Sequence, residues 1–258
     1  MTLPLPAKPA ETPEADATAF ILANLPLAPV PGIAEIRLHG AQPSSGLRRL
    51  AEMAGGSTGA GRSPYWAYHW AGGTVLARYL LDHPETVRGR AVLDLGTGSG
   101  LVAIAAARAG ASSVTGVDID AHAIIAARLN AALNDVTFET LQADLTAGEP
   151  PSVDLITVGD LFYDRSLARR VTAFLDRCLA MGITVLVGDP GRAHLPRQRL
   201  AAIAEYQVSD FGEAGAGTPA TVFAFSAEHS AFPSPLAGEG DSTPQHQPSL
   251  QNAFPRSL

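Results

Sequence analysis

The stretch V-L-D-L-G-T-G-S-G, from Val92 to Gly100, decides how the chain is read. Ala91 to Leu95 is a short apolar run of the kind that makes a buried parallel strand. It breaks into three alternating glycines, Gly96, Gly98 and Gly100, and an Ala-rich helical pattern then follows from Leu101 to Ala109. A strand, a glycine turn and a helix in that order make a nucleotide-type pocket. Glycine lets backbone approach a ligand closely, and the helix N-terminus offers unpaired N–H groups to its polar end.

Downstream, the same alternation repeats. Ser113 to Val117 is a second strand ending at Asp118, and Asp120 is placed to cap a helix over Ala121 to Leu133. Val136 to Leu141 is a third strand, closed by Gln142-Ala143-Asp144. Val153 to Val158 is a fourth, ending in G-D-L-F-Y-D at 159 to 164. A helix over Ser166 to Ala180 follows, with Gly182 as its C-terminal stop. Ile183 to Gly188 is a fifth strand, continued by Asp189-Pro190-Gly191-Arg192. A last helix over Leu195 to Ala204 and an antiparallel pair, Tyr206 to Phe211 with Thr221 to Phe225, complete the pattern. This is an α/β fold: a doubly wound, Rossmann-like, seven-stranded sheet with a C-terminal antiparallel β-hairpin. Its chemistry belongs outside the carboxyl ends of the parallel strands.

Upstream, Ser63-Pro64 is an N-cap and first-turn proline for a helix over Tyr65 to Leu81, halted by Pro84. Trp66 and Trp70 lie four apart on that helix. They read either as a core-facing stripe or as aromatic faces for a sulfonium cofactor or ammonium substrate. The domain reading is a disordered N-terminus (1–15), an extension packed on the catalytic domain (16–62), the domain itself (63–228) and a disordered tail (229–258). Within the extension, short helices over Ala17 to Asn24 and Gly46 to Met53 flank a weak strand, Gly32 to His39.

The 258 residues are 46% hydrophobic, enough for one good core, and carry a net charge of −7. That balance argues against nucleic acid, which needs a basic face, and leaves a basic protein or a small molecule. No run is long enough for a membrane span, and the first residues, with one lysine, three prolines and no apolar stretch, are not expected to act as a secretory signal. The single cysteine, Cys178, excludes an internal disulfide and a Cys-based zinc site, and sits in a core-like apolar pattern. No metal is expected, and the setting expected is the reducing cytoplasm.

The glycine spacing leaves two cofactors open. Gly98, Gly100 and Ala103 fit an NAD fingerprint, with Asp118 near the required distance. D-L-G-T-G-S-G at 94 to 100 resembles motif I of the S-adenosylmethionine-dependent methyltransferases. The terminal hairpin favours the second, since a dehydrogenase would continue with βα units. With P-Y-W-A-Y-H-W-A-G-G (64–73), D-I-D (118–120), G-D-L-F-Y-D (159–164) and G-D-P-G-R (188–192), the chain resembles the lysine methyltransferases of the electron transfer flavoprotein beta subunit. The helix A-x-x-A-A-R-L-N-A-A-L-N also looks like the methyltransferase of a large-subunit ribosomal protein. Small-molecule methylation on the same fold is a further alternative.

The resemblance implies S-adenosyl-L-methionine as cofactor and the flavoprotein beta subunit as protein partner. Asp94, Gly96, Gly98 and Gly100 would hold its methionine end. Asp118 is placed to accept the ribose hydroxyls and Asp144 to meet the adenine amine, or merely to cap a turn. Trp66, Trp70 and Asp160 would complete the cofactor contacts. Asp160 would also capture and orient the substrate ammonium, with Tyr163 walling the lysine channel or orienting the amine.

Overall fold

A computed structural model describes residues 13–41, 45, 64–209 and 217–226. The expected helix over Gly46 to Met53, Ser63, the last part of the strand to Phe211 and the tail from 229 lie outside the described residues. Within them the elements are α1 (Pro13–Asn24), β1 (Leu27–Val30), β2 (Ile33–His39), α2 (Ala71–Asp82), β3 (Ala91–Leu95), α3 (Leu101–Arg108), β4 (Ser113–Asp118), α4 (Ala121–Leu133), β5 (Glu139–Gln142), β6 (Leu155–Gly159), α5 (Arg165–Ala180), β7 (Thr184–Asp189), β8 (Leu200–Val208) and β9 (Thr218–Phe225).

Seven strands form one sheet in the order β5-β4-β3-β6-β7-β9-β8. The first five are parallel, β9 runs antiparallel to β7, and β8 antiparallel to β9. Successive residues of each central strand point to opposite faces, and both faces are covered. Val92, Leu155 and Leu186 pack under α2 and α3, while Leu93, Ile156, Val185 and Val187 pack under α5. That explains why these strands read as continuous apolar runs. Helix α5 shows the opposite pattern: Ala168, Val171, Phe174, Leu175 and Cys178 form one buried stripe on a helix otherwise rich in arginine.

The chain leaves β3 towards β4 and β5, then returns to β6 on the other side of β3. The sheet order therefore reverses beside the glycine turn, the position at which open α/β sheets bind ligands. The antiparallel pair β1–β2 and helix α1 pack outside the sheet, on α4 and α3. Asn130 of α4 and Asn134, which caps its C-terminus, tie the hairpin down. Asn130 accepts the His39 N–H (2.9 Å) and donates to the Ser99 carbonyl (2.9 Å), while Asn134 accepts the Arg37 N–H (3.0 Å) and donates to the Arg37 carbonyl (2.6 Å).

Three expectations are corrected. The helix expected over Tyr65 to Leu81 begins only at Ala71. Tyr65–Ala67 is a single 3-10 turn, and Tyr68 and Trp70 are extended. Trp66 and Trp70 thus do not share a helical stripe. Propensity does not set this start, since glycine is a poorer helix former than tryptophan or tyrosine; Gly72 and Gly73 let the first turn of α2 pack against Gly188 and Gly159. The helix expected over Leu195 to Ala204 is instead a 3-10 turn (Arg197–Arg199) and the edge strand β8, whose Ala-rich run is held extended by pairing with β9. The third strand starts at Glu139 rather than Val136.

Candidate active site

The carboxyl ends of β3, β4 and β6 open into a cavity of about 750 Å³, within the usual range of roughly 300–1,000 Å³ for cofactor sites. Of the residues singled out from sequence, Trp66, Trp70, Asp94, Gly96, Gly98, Asp118, Asp144, Asp160 and Tyr163 line it, and Gly100 does not. Gly100 instead takes the left-handed turn (φ +85) that starts α3. Gly96, at φ +75, interlocks with the turn after β6, since a Cβ there would stand 2.8 Å from the Leu161 side chain.

Asp94 is buried. Its Oδ2 accepts the Thr97 hydroxyl (2.7 Å) and its Oδ1 the Thr157 hydroxyl (2.9 Å). Loss of hydration pushes its carboxyl up to about 6 against those two hydrogen bonds. Asp118 is also held above the ordinary carboxylate range by burial. Three donors already face it: the Tyr65 hydroxyl (2.5 Å) and Asp120 N–H (3.1 Å) on Oδ1, and the Gly98 N–H (3.0 Å) on Oδ2. A carboxylate offers about four acceptor positions, so two ribose hydroxyls fit only if Tyr65 yields. Asp144 does cap a turn, accepting from the Thr146 N–H (2.9 Å) and hydroxyl (2.6 Å), while still lining the cavity. These bonds hold its carboxyl below the usual range.

Trp66 is buried, stacked against His122 with ring centroids 6.3 Å apart. Trp70 carries a cation on its face, but one from the chain itself: the Arg192 guanidinium lies 5.5 Å from the ring centroid.

Asp160 sits at the tip of β6 in a left-handed conformation (φ +55), a strained state that folds tend to retain at functional positions. Phe162, fully buried two residues on, anchors the turn, while Tyr163 is 63% exposed at the rim and so is no core residue. Both Asp160 oxygens are engaged. Oδ1 accepts Nε (2.9 Å) and Nη2 (2.6 Å) of Arg192, and Oδ2 accepts the Gly73 N–H (2.9 Å). Burial pushes this carboxyl up to about 6, opposed mainly by Arg192.

Sequence reasoning did not reach Arg192 or Gly73 as site residues, although both lie in stretches that stood out. The Gly72–Gly73 pair lets the first turn of α2 lie directly on the strand ends. A Cβ on Gly188 would stand 2.1 Å from the Gly72 carbonyl oxygen, and one on Gly159 would stand 3.0 Å from Gly73. Asp189 shapes the D-P-G-R turn by accepting the Gly191 and Arg192 N–H groups, each at 2.6 Å.

The sheet order, the glycine turn at its reversal and the acidic residues ending β3, β4 and β6 define the class I S-adenosylmethionine-dependent methyltransferase fold. A candidate RNA methyltransferase from Pyrococcus horikoshii has that fold, with a TM-score of 0.50 and 16% identity over 72% of this chain and 98% of that one. Residues 73–159 match the family model of ribosomal protein L11 methyltransferase (PrmA).

The more extensive similarity is to the electron transfer flavoprotein beta subunit lysine methyltransferases. The chain is 44% identical to that of Rattus norvegicus over 153 residues, covering 57% of this chain and 60% of that protein. To that of Homo sapiens it is 42% identical over 170 residues, covering 63% and 65%. The chain thus spans less than two thirds of the length of these curated relatives.

The cavity suits the cofactor of this fold on its own chemistry. Gly98 stands at φ +52 with its Cβ position 3.8 Å from the nearest atom, an open approach for a ligand. Asp118 retains an acceptor position on Oδ2. Asp94 and Asp160 add two buried carboxyls to the same lining, a chemistry that suits a cationic ligand.

Proposed function

We propose that this chain is an S-adenosylmethionine-dependent protein-lysine N-methyltransferase whose substrate is the electron transfer flavoprotein beta subunit. One observation carries the reading. The acidic turn after β6 presents Asp160 and Tyr163 to the same cavity that Asp118 and Gly98 line.

S-adenosylmethionine, when bound, supplies a methyl group on a sulfonium whose leaving group is a neutral thioether. The chain's own task is to align and to exclude water. Gly98 would give backbone access to the methionine end, with Gly96 and Asp94 in the same lining, and Asp118 would receive a ribose hydroxyl at its remaining acceptor position. Tyr163, at the open rim, walls the path of a side chain entering from a protein surface. Asp160 at the inner end fixes the nitrogen. Alignment of this kind contributes on the order of 7–11 kcal/mol when both reactants are held in a near-attack geometry. The reading includes a reducing, cytoplasmic setting, supported by the lone buried cysteine.

The test is incubation with methyl-labelled S-adenosylmethionine, a cell extract and added recombinant electron transfer flavoprotein. Label on lysine of the beta subunit is the expected result. Label only in small molecules, or on ribosomal protein L11, would replace this substrate with another.

A further inference from the structure

A carboxylate beside the reacting nitrogen poses a difficulty for lysine methylation. It favours the ammonium form, which has no lone pair with which to attack. The site contains the group that offsets it.

We propose that Arg192 is a positioning residue that sets the ionisation of the substrate amine: its guanidinium neutralises Asp160, so that an entering lysine rests beside the carboxylate uncharged. The inference rests on the lysine methyltransferase reading. Both contacting nitrogens of Arg192 converge on one oxygen of Asp160, at 2.9 and 2.6 Å, and the Gly73 N–H takes the other at 2.9 Å. The Trp70 ring covers the guanidinium at 5.5 Å, and Asp189 holds the backbone from which Arg192 projects by accepting its amide N–H.

An Asp160–Arg192 pair has no net charge to offer an ammonium, and the cationic sulfur of this fold's cofactor repels one. The lysine therefore releases a proton to solvent, and its lone pair can form the new N–C bond as the methyl–sulfur bond breaks and the sulfur leaves as a neutral thioether. Asp160 keeps at most one acceptor position, enough to orient a neutral N–H.

Other groups bear on this balance. Asp189 at the end of β7 opposes Arg192 electrostatically, and Tyr163 and Asp164 share the turn of Asp160. His194 lies beside Asp164. His69 and Tyr65, preceding α2, and Asp94 and Asp118, ending β3 and β4, line the facing wall. Asp144 and Arg170 stand at the far rim. Histidine ordinarily titrates near neutrality, so His69 and His194 need controls.

The experiment is the pH profile of kcat for methyl transfer to the flavoprotein by wild type, Arg192→Gln, Arg192→Met and Arg192→Lys. Product binding by calorimetry serves as the check of folding. With the guanidinium gone, the ammonium becomes the counterion of Asp160. The rising limb of the profile is then expected to move to higher pH by about one unit or more. The rate is lost at neutral pH and largely regained in alkali, and KM for the flavoprotein is unchanged or lower. Arg192→Lys, which keeps the charge, should leave the limb where wild type has it.

A rate reduced by the same factor at every pH in both neutral variants would overturn the inference. So would a limb that follows His69→Gln or His194→Gln instead. Wild type that transfers no methyl group at any pH would remove the functional reading, and this inference with it.

Discussion

The Tyr65 hydroxyl donates to Oδ1 of Asp118 across 2.5 Å, filling a position that a ribose hydroxyl would otherwise take. Burial and the adjoining carboxylate push the phenol well above its ordinary range, so it stays a donor. Tyr65→Phe should therefore do two opposed things. Folded stability should fall by about 1 kcal/mol, the value of a typical hydrogen bond, and the affinity for S-adenosylhomocysteine should rise about threefold to tenfold because the competitor is gone. Calorimetric titration and thermal melts read both. Weaker binding would show that Tyr65 assists the ribose rather than competing with it.

The buried Asp94 makes a pH prediction with a definite sign. Its folded-state carboxyl titrates at about 6, above the ordinary 3.8. Stability from the protonated form is present in full below about pH 4 and is lost as pH rises through about 6. Thermal stability of the ligand-free protein should decline between about pH 4 and 7, most steeply below about 6, and Asp94→Asn should flatten part of that decline. Affinity for S-adenosylmethionine should move the other way, strengthening over the same interval as a carboxylate forms beside the sulfonium. A binding constant independent of pH would remove Asp94 from that role.

The pair Asn130 and Asn134 fastens the N-terminal hairpin to α4. Replacing either by Ala leaves part-buried backbone groups of β2 without their partners. A loss of about 1–3 kcal/mol is expected for each in urea unfolding, with earlier proteolysis near His39. A change within about 0.5 kcal/mol would reduce these contacts to surface decoration.

Gly188 and Gly98 separate packing from ligand access. At Gly188 a Cβ would meet the Gly72 carbonyl oxygen at 2.1 Å, so Gly188→Ala must push α2 off the sheet and carry the Gly73 N–H away from Asp160. Destabilisation of at least about 3 kcal/mol is expected, at the upper end for overpacking. At Gly98 the nearest atom that a Cβ would meet among the described residues, its chain neighbours aside, is 3.8 Å away, and the φ of +52 is what opposes a side chain. Gly98→Ala should fold with a penalty of about 1–2 kcal/mol and bind S-adenosylhomocysteine at least tenfold more weakly. Equal stability in the two variants would contradict this division.

What could be read from the sequence is what is local. β3, β4, β6 and β7 announced themselves because a parallel strand buried on both faces is a short apolar run, stopped here by glycine or aspartate. The glycine turn and the acidic strand ends followed from position alone. The aromatic stretch at 65–70 and the Ala-rich stretch at 200–204 misled because their conformations are imposed from elsewhere, by the packing of α2 and by pairing with β9. The connections that complete the site are distant in the chain. Tyr65 and Asp118 lie 53 residues apart, Gly73 and Asp160 lie 87 apart, and Asp160 and Arg192 lie 32 apart. No periodicity or spacing encodes such pairings. The motif P-Y-W-A-Y-H-W-A-G-G stood out as an aromatic cluster, yet its two glycines bring α2 onto the strand ends.

The central claim is that the acidic turn after β6 positions a lysine amine while the other strand ends hold the methyl donor. Mass spectrometry of the flavoprotein beta subunit after incubation with S-adenosylmethionine and either wild type or Asp160→Asn tests it most directly. Wild type should add methyl groups to lysine. Asp160→Asn should add none while binding S-adenosylhomocysteine within a few fold of wild type. Lysine methylation by Asp160→Asn at the wild-type rate, or no lysine methylation by wild type, would contradict the account.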